Sequence, residues 1–342
     1  MPTIVIATRD RRPRLLETLD RLRGLPEQPP IVVADTGSSD GTQAAVAREF
    51  PEVELIQCSP RLGSAARTLG VRAAATPLVA FSDDDSWWAA GALRRAADHF
   101  ARHPRLGLLA PRILVEPDGR LDPTCEEMRD GPLAVEGAVP GPPVLGFLGC
   151  GAIVRRDAVL ACGGFHRHFG FGGEEQLLAV DLASAGWDLA YVDDVVAHHE
   201  PEPGPRDWQD SSELRNQLWS AWLRRPLPRA AALTVRVVYA GRIRGLRALV
   251  AALSGAPWVL RERRRIPPHV EASLRALEEH AATGSRSGGS QTQGLRRSNG
   301  HGHPDEDPRA RRGEPHGGHA AADGRDRRPP EARALPVHTA DP

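Results

Sequence analysis

The chain has 342 residues, of which 40% are hydrophobic and 26% are charged. This composition supplies apolar material for one large core with appendages, so it excludes a fibre and a wholly disordered chain. The 44 basic and 44 acidic residues give no formal net charge, and every basic residue is an arginine. A chain without net charge has no overall attraction to nucleic acid, so we expect no nucleic-acid partner.

The first two hundred residues alternate short apolar runs with segments of helical spacing. Strands are predicted at 3–7, 31–34, 53–57, 78–82, 108–115 and 189–192. Helices are predicted at 13–25, 43–50, 63–75, 90–102 and 176–185. This alternation predicts an α/β fold with a mostly parallel open sheet and helices on both faces, whose ligands bind at the carboxyl ends of the strands.

Composition divides the chain into a domain at 1–205, a basic amphipathic helical appendage at 206–282 and a disordered tail at 283–342. From 208 to 265, twelve arginines and three acids are interleaved with aromatic residues. Two interpretations of the appendage stay open: helices with a solvated basic face, or a surface that rests on anionic lipid. The tail has three large aliphatics, Leu295, Leu335 and Val337, too few to offset the entropy of ordering.

Four cysteines, Cys58, Cys125, Cys150 and Cys162, form no CxxC pair. No signal-peptide pattern opens the chain, so the sequence predicts the reducing cytosol. The apolar stretch at 227–260 is interrupted by five arginines, whose charges are costly at a bilayer centre. We therefore expect a cytoplasmic protein without a membrane span, with peripheral docking on the inner face of the plasma membrane left open.

The first group of candidate functional residues follows the strand at 31–34. Asp35 lies at the end of this strand, where a carboxylate can accept from the N–H edge of a nucleobase. Ser38, Ser39 and Asp40 belong to a turn-rich segment that can cap the next helix. For Asp40 the turn interpretation is favoured, and for Asp35 the functional one.

The second group is the run Asp83, Asp84 and Asp85, directly after the strand at 78–82. Three adjacent carboxylates repel one another unless a cation neutralises them, and hard divalent ions prefer carboxylate oxygens. The run therefore indicates a Mg²⁺ or Mn²⁺ site with room for substrate phosphates, although a solvated acidic loop is the alternative.

The third group lies after a glycine-rich loop at 163–173. Glu174 and Glu175 begin a predicted helix, where they serve either as a general base or as partners of the helix dipole. Further along, His198 and His199 are adjacent. Because adjacent side chains in a strand point apart, at most one of them is expected to be a metal ligand.

Taken together, these residues resemble family 2 of the glycosyltransferases, whose nucleotide-diphospho-sugar transferase fold is called GT-A. The segment at 35–42 follows the family's Asp-x-Gly-Ser-x-Asp-Gly-Thr pattern, and the run at 83–85 fits its Asp-x-Asp motif. Three further matches are Thr8-Arg9-Asp10-Arg11, then Gly63 with Ala66-Arg67 and Gly70, and last a single pattern formed by Gly163-Gly164-Phe165, Glu174-Glu175 and Gly186-Trp187. Five matches in the right order over two hundred residues make the resemblance specific.

The resemblance implies a site for a nucleotide diphosphate sugar and a divalent metal, Mg²⁺ or Mn²⁺. The residues expected to bind the nucleotide sugar are Thr8, Asp35, Arg67, Asp83 and Asp84. Those expected to hold the metal are Asp83, Asp85 and His198. In this scheme Asp35 contacts the base and the metal neutralises the diphosphate leaving group. Arg67 either steadies the diphosphate or serves packing.

The resemblance also implies a general base at Glu175, with Glu174 as the alternative, and inversion at the anomeric carbon. Glu175 stands where the family has Asp, and Asp181 stands where it often has Arg. The acceptor therefore stays open among a lipid-linked saccharide, a cell-wall glycan precursor and a metabolite. A catalytically inactive nucleotide-sugar-binding relative is the alternative function, whereas a nucleotidyltransferase is disfavoured because no Gly-rich phosphate loop follows the first strand.

Overall fold

A computed structural model describes residues 1–60, 62–135, 139–202 and 207–287 of the chain. Within these ranges the strands are β1 (Thr3–Thr8), β2 (Ile31–Asp35), β3 (Glu54–Gln57), β4 (Leu78–Ser82), β5 (Ser86–Trp88), β6 (Leu106–Val115), β7 (Arg120–Leu121), β8 (Gly151–Arg155) and β9 (Asp188–His199). The helices of the α/β region are α1 (Arg12–Arg23), α2 (Thr42–Glu49), α3 (Ala66–Ala73), α4 (Ala92–Arg102), α5 (Pro123–Arg129), α6 (Arg156–Ala161) and α7 (Glu174–Ser184). They are followed by α8 (Asp207–Arg224), α9 (Leu227–Leu253), α10 (Ala256–Glu262) and α11 (Pro268–Ser287).

One open sheet runs through the α/β region, in the order β3-β2-β1-β4-β8-β6-β9-β5, with β7 paired to β6. Strands β1, β2, β3 and β4 pair in parallel, and β6 pairs in parallel with β9. Strand β8 is antiparallel to both β4 and β6, so β6 and β9 run in the same direction as β1. The predicted mostly parallel sheet is confirmed.

Burial on both faces explains why the first strands read as continuous apolar runs. Every residue of β2 is buried, and β1 is buried at all but one position. Helices therefore cover both faces, as expected for parallel strands joined by crossover helices. Gly70 allows one of these contacts, because a Cβ at this position would collide with Val5 of β1. Without a side chain there, α3 lies directly on the sheet.

The sheet order brings the first candidate residues to one edge. Strands β2, β1 and β4 are neighbours and end at Asp35, Thr8 and Ser82. Because parallel strands present their carboxyl ends at the same edge, the loops that follow them meet there. The sequence predicts this placement for the acidic groups that follow β2 and β4.

The helices after β9 cover α7 and the loop before it through two apolar clusters. In the first cluster, Phe169 and Leu177 pack against Leu218, Trp219 and Leu223 of α8. In the second cluster, side chains from α7 and the loop at 145 meet α11, the members being Leu145, Val180, Ile266, Val270 and Leu274. Residues Met1–Gly289 form one compact unit.

The predicted division at 205 and 282 stays a prediction. The predicted tail lies outside the described residues from 288 onward, and α11 continues to Ser287, past the predicted boundary at 282. Among the described residues, no single helix is long and apolar enough to cross a membrane. Helices α9 and α10, bent by 67° relative to one another, meet the length and composition of a broken span or re-entrant loop when taken together.

Candidate active site

A cleft of about 900 Å³ opens where β1, β2 and β4 end. Seven of the predicted site residues line it, namely Thr8, Arg67, Asp83, Asp84, Asp85, Glu174 and Glu175. They come from four separate parts of the chain, which the fold brings together. Asp35 and His198 are not among the described residues that line the cleft.

The acidic run is held in a rigid turn between β4 and β5. The Asp83 backbone N–H donates to Ser86 Oγ at 2.7 Å, and Ser86 Oγ donates to the Cys150 carbonyl at 2.6 Å. The Asp84 carbonyl accepts from Thr18 Oγ1 at 2.8 Å. These bonds tie the turn to α1 and to the start of β8, so the directions of the three carboxylates are fixed.

Asp84 points into the protein and is held by two partners. Thr8 Oγ1 donates to Asp84 Oδ2 at 2.8 Å, and Arg11 Nε lies 2.7 Å from Asp84 Oδ1. Asp84 is buried, and burial raises its pKa to about 7, although Arg11 and Thr8 act in the opposite direction. We interpret Asp84 as the residue that positions Thr8 and Arg11 at the cleft wall.

Two arginines face the other two carboxylates. Arg11 Nη2 donates to Asp85 Oδ2 at 2.9 Å, and Arg67, which is buried in α3, forms an ion pair with Asp83. Burial alone would lower the pKa of Arg67, but the charges of Asp83, Glu175 and Glu174 raise it above its ordinary value. Arg67 Nε and Nη1 are buried without a hydrogen-bond partner, so this guanidinium has donors to spare for an anion.

His199, and not His198, faces the carboxylates. Strands β5 and β9 pair antiparallel with Trp87 opposite His198, and side chains alternate between the faces of a strand. The His198 ring stacks on Trp87, and its Nδ1 lies 2.7 Å from Glu116 Oε1. His199 lines the cleft, with its Nε2 3.4 Å from Asp85 Oδ1. The structure therefore places His199 beside Asp85 and His198 against Trp87 and Glu116, and metal binding by either histidine stays a prediction.

The side chains at this end of the cleft fit a divalent cation in donor chemistry. Asp83 and Asp85 offer hard carboxylate oxygens, and His199 offers an imidazole nitrogen, the donor types that Mn²⁺ accepts. Among the described residues, no group of three or more metal-binding side chains is already gathered into a site. The two guanidinium groups of Arg11 and Arg67 occupy the space around the carboxylates instead.

Asp35 is fully buried at the end of β2, beside the cleft. Its carboxylate accepts from the backbone N–H and hydroxyl of Ser38 and from the side-chain amide of Gln43. Its neighbour Thr36 lines the cleft. The contact of Asp35 with a nucleobase stays a prediction. Asp40 accepts from Thr42 N–H at 3.1 Å, an Asx-type turn that leads into α2, whose N-cap is Gly41.

The two glutamates lie in the first turn of α7, after Gly173 with a φ of +84°. Both line the cleft. Glu174 is 1% exposed and its Oε2 has no hydrogen-bond partner, whereas Glu175 is less buried. Gly149 leaves room for Glu175, because a Cβ there would lie 2.9 Å from Glu175 Oε1. Burial raises the pKa of both carboxyls, and the charge of Glu174 raises that of Glu175 further.

Asp181, on the same helix, forms a bidentate pair with Arg224 of α8, at 2.5 and 2.8 Å. This departure from the family pattern is therefore part of the contact between α7 and α8. The pair between Asp181 and Arg224 does not involve Glu174 and Glu175, which line the cleft.

Several residues of the cleft were not singled out from the sequence. They include Arg11, Thr36, Glu202 and Glu213, whereas His199 was considered beside His198. Arg11 carried a signal, because it follows β1 in the segment Thr8-Arg9-Asp10-Arg11. Glu213 carried none, because it lies on α8 and reaches the cleft through tertiary packing, where it contacts Gly172.

A second cavity of about 530 Å³ lies beside the cleft on another face of α3. Thr68, Leu69 and Arg72 line this second cavity, whereas Arg67 lines the cleft. Since it holds neither the acidic run nor Glu175, we assign the catalytic chemistry to the larger cleft.

Residues 3–162 match the sequence model of the family described as Glycosyl transferase family 2. The chain is 30% identical to N-acetylglucosaminyl-diphospho-decaprenol L-rhamnosyltransferase of Mycobacterium tuberculosis, over 60% of this chain and 78% of that protein. It is 29% identical to pre-mycofactocin glycosyltransferase of the same organism, over 60% of this chain and 44% of that protein.

Solved structures share the fold. A mannosyltransferase from Pyrobaculum calidifontis, solved with GDP-mannose and Mn²⁺, superposes with a TM-score of 0.51 and 20% identity, over 81% of this chain and 85% of its own. A TarS fragment from S. aureus, solved with UDP-GlcNAc, gives 0.52 and 18%, over 65% and 66%. Fold and sequence define an enzyme of GT-A architecture that transfers a sugar. The chain belongs to the family 2 glycosyltransferases.

Proposed function

We propose that this enzyme is an inverting, metal-dependent transferase that moves a hexose or deoxyhexose from a nucleoside diphosphate to a hydroxyl of a lipid-linked saccharide. One observation carries the proposal: the carboxylate of Glu175 and the group of Asp85 with His199 line the same cleft. A base and a site for the leaving diphosphate within one cleft are the two parts that this reaction needs.

Asp83, Asp85 and His199 are proposed to hold a Mg²⁺ or Mn²⁺ ion. When bound, the ion would neutralise negative charge on the leaving nucleoside diphosphate. Arg67 and Arg11 face the same carboxylates and supply further positive charge at this end of the cleft. The fully buried Asp35 is proposed to accept from the base, which requires that it exchange one of its contacts with Ser38 or Gln43.

Glu175 is proposed to take the proton of the acceptor hydroxyl. As the proton moves to Glu175, the acceptor oxygen forms a bond to the anomeric carbon from the side opposite the phosphate. The bond from that carbon to the phosphate oxygen breaks, its electron pair leaves with the nucleoside diphosphate, and the configuration inverts. The raised pKa makes the deprotonated Glu175 carboxylate a stronger base than that of an ordinary glutamate, so it can hold a proton at pH values where an ordinary glutamate would not.

A lipid-linked acceptor is proposed because one relative, by its name, acts on a saccharide linked to diphospho-decaprenol. The enzyme would then work in polysaccharide or cell-wall biosynthesis, at the cytoplasmic face of a membrane. The free thiols of Cys58, Cys125, Cys150 and Cys162 agree with a reducing compartment. The inactive binding relative loses its support, because Glu175, whose departure from the family pattern raised it, lines the cleft.

The test is calorimetric titration of the purified chain with UDP, GDP and dTDP, with and without Mn²⁺. We expect one nucleotide to bind only with the metal, and Asp85→Asn to remove this binding with a melting temperature near that of the wild type. The matched control is Asp118→Asn, an exposed aspartate outside the cleft, which should bind as the wild type does. Equal binding with and without Mn²⁺, or in Asp85→Asn, would contradict the metal assignment.

A further inference from the structure

Large apolar side chains are exposed along one helical segment. Among the described residues, most of the exposed large hydrophobics belong to α9 and α10. Their exposed fractions range from 54% for Leu246 to 88% for Tyr239. We call this set the α9 face; its members are Leu227, Val235, Tyr239, Ile243, Leu246, Val250, Leu253 and Leu260. Large exposed apolar side chains concentrated on one helical segment mark a surface that another phase or molecule covers.

The spacing of these residues gives each half of α9 an apolar side. Helix α9 breaks at Arg242, whose φ of +50° and ψ of −125° are not helical. Before the break, Val235 and Tyr239 are four residues apart; after it, Ile243, Leu246 and Val250 follow at intervals of three and four. Residues at such intervals share one side of a helix, so each half presents a stripe.

The opposite sides of the two halves are buried against the protein. Gly245 lies so close to Val237 that a Cβ at this glycine would collide with the Val237 carbonyl. In a straight helix these two residues would be about 12 Å apart, so the second half crosses the first at this point. Ala248 and Ala252 are buried as well. Each half of α9 therefore has a buried side, at Val237 before the break and at Ala248 and Ala252 after it, in addition to its exposed stripe.

The segment that carries the α9 face is strongly basic. From 227 to 265 there are nine arginines and a single acid, Glu262. Most of these arginines are exposed, including Arg236, Arg247 and Arg265. Apolar stripes flanked by cations are complementary to an anionic lipid interface, where acyl chains receive the apolar groups and headgroups receive the arginines.

We propose that the α9 face lies in the interface of an anionic membrane and docks the enzyme there. A second copy of the chain fits poorly, because two such faces would bring like charges together. The segment from 288 to 342 fits poorly too, because its large aliphatics are three in number. The arginines favour a helix pair that lies in the interface over a pair that crosses the bilayer.

Helix α8 connects the α9 face to the catalytic loop. On one side, Trp222 Nε1 donates to Thr234 Oγ1 of α9 at 2.8 Å. On the other side, Asn216 Nδ2 donates to the Gly172 carbonyl at 2.6 Å, two residues before Glu174. Docking would thus place the membrane one helix away from the loop that holds the proposed base. Docking at this place would deliver a lipid-linked acceptor to the loop, and this role of docking rests on the proposed function.

The test is co-sedimentation of the full chain with phosphatidylcholine vesicles, with and without phosphatidylglycerol. We expect binding to the anionic vesicles, and a loss of at least ten-fold in the variant Val235→Gln, Tyr239→Gln, Ile243→Gln. The control Val235→Leu, Tyr239→Phe, Ile243→Leu keeps the apolar surface and should keep the binding. Absence of wild-type binding, or equal binding by the Gln variant, would overturn the proposal.

A second variant tests the charges. Replacing Arg236, Arg247 and Arg265 by Gln should weaken binding about five-fold per arginine and reduce its salt dependence. The Lys variant at the same three positions should bind as the wild type does. Binding that resists both high salt and alkaline carbonate would indicate a span and overturn the interfacial arrangement. A dimer in sedimentation velocity that the triple Gln variant abolishes would assign the face to a second copy and also overturn the proposal.

Nucleotide titration of the same variants separates this proposal from the proposed function. The Gln variant should bind nucleotide with Mn²⁺ as the wild type does, since none of its three positions lines the cleft. If vesicle binding fails while nucleotide binding persists, docking is wrong and the transferase assignment stands. If the wild type binds vesicles but no nucleotide, the docking surface stands and the proposed donor site is wrong.

Discussion

The three aspartates of the acidic run in the cleft are paired with arginines of the same chain. Arg11 faces Asp84 and Asp85, and Arg67 faces Asp83. Without these two cations, three adjacent carboxylates at a half-buried turn would repel one another strongly. Under the proposed function, these cations would face the diphosphate when a metal takes over the carboxylates. The ion pairs of Arg11 and Arg67 therefore explain how three adjacent aspartates are stable in the enzyme without substrate.

The raised pKa of the glutamate pair predicts a shifted pH profile. Glu175 must be deprotonated to act as a base, so kcat/KM should fall as pH falls through its raised pKa, above the ordinary value of 4.5. Glu175→Gln should lower kcat by about 10²–10⁴-fold. Glu174→Gln removes the neighbouring charge and should move the acidic limb to lower pH.

A pH–rate series of these variants checks the assignment, with the exposed Glu17→Gln as the control. Because Glu174 and Glu175 titrate as a pair, the acidic limb of the pH–rate profile reports on both carboxyls. The shift of this limb in Glu174→Gln is therefore the decisive measurement. An acidic limb at the ordinary glutamate pKa in the wild type would contradict it.

The two histidines provide a matched pair of substitutions. His199→Gln should weaken Mn²⁺-dependent nucleotide binding at least ten-fold, because its Nε2 faces Asp85. His198→Gln should leave this binding unchanged, since His198 contacts Trp87 and Glu116 instead. Calorimetry of both variants decides the matter, and equal effects would show that the alternation along β9 does not determine the ligand.

At the scale of elements, α8 holds the loop that precedes the proposed base. Asn216 is fully buried, and its side-chain amide donates to the carbonyls of Phe169, Phe171 and Gly172. The glycines of this loop take positive φ values, and besides the bonds from Asn216 the loop carbonyls accept from Ser64 Oγ at Gly170 and from Arg215 Nη2 at Phe169. Helix α8 thus contributes to the catalytic site although it lies outside the predicted 1–205 domain.

Asn216→Ala should lower both stability and turnover. Three carbonyls lose a donor, at a cost of about 1–3 kcal/mol in the free energy of unfolding. A loosened loop also displaces Glu175, so kcat should fall more than the affinity for nucleotide. Thermal unfolding and steady-state kinetics measure the two effects, and the exposed Gln217→Ala on the same helix is the control. An unchanged kcat would mean that α8 does not position the base.

At the scale of the whole molecule, the basic helices and the α/β region share buried contacts. Phe169 and Leu177 meet α8 in one cluster, and Val180 meets α11 in another. Buried ion pairs accompany them, such as Arg225 of the α8–α9 connection with Glu271 of α11 at 2.6 Å. Elements joined in this way are expected to unfold together.

Leu223→Ala tests this cooperativity. Leu223 is fully buried in the first cluster, so its truncation should lower the free energy of unfolding by about 2–5 kcal/mol. We expect a single calorimetric transition that moves to lower temperature, while the exposed Leu260→Ala leaves it in place. Two transitions, of which only one moves, would mean that the helices form an independent domain.

The sequence alone predicts the parallel strands of the sheet and seven of the residues that line the cleft. Apolar runs and helical spacing are local properties, so the strands, the helices and the acidic groups after β2 and β4 could be predicted from neighbouring residues. The resemblance added roles to them. It assigned the metal-ligand role to His198, whereas the structure places His199 beside Asp85, because the face on which each histidine lies depends on the register of β9 against β5.

Only the tertiary structure decided which groups meet. Arg11 pairs with Asp84 and Asp85 from 73 and 74 residues away, and Asp181 with Arg224 from 43 residues away; no local pattern encodes such partners. The same holds for the basic helices, whose composition left two interpretations open. Packing decided which of their apolar residues became buried against α8 and which formed the exposed α9 face, since burial depends on the neighbours that the fold supplies.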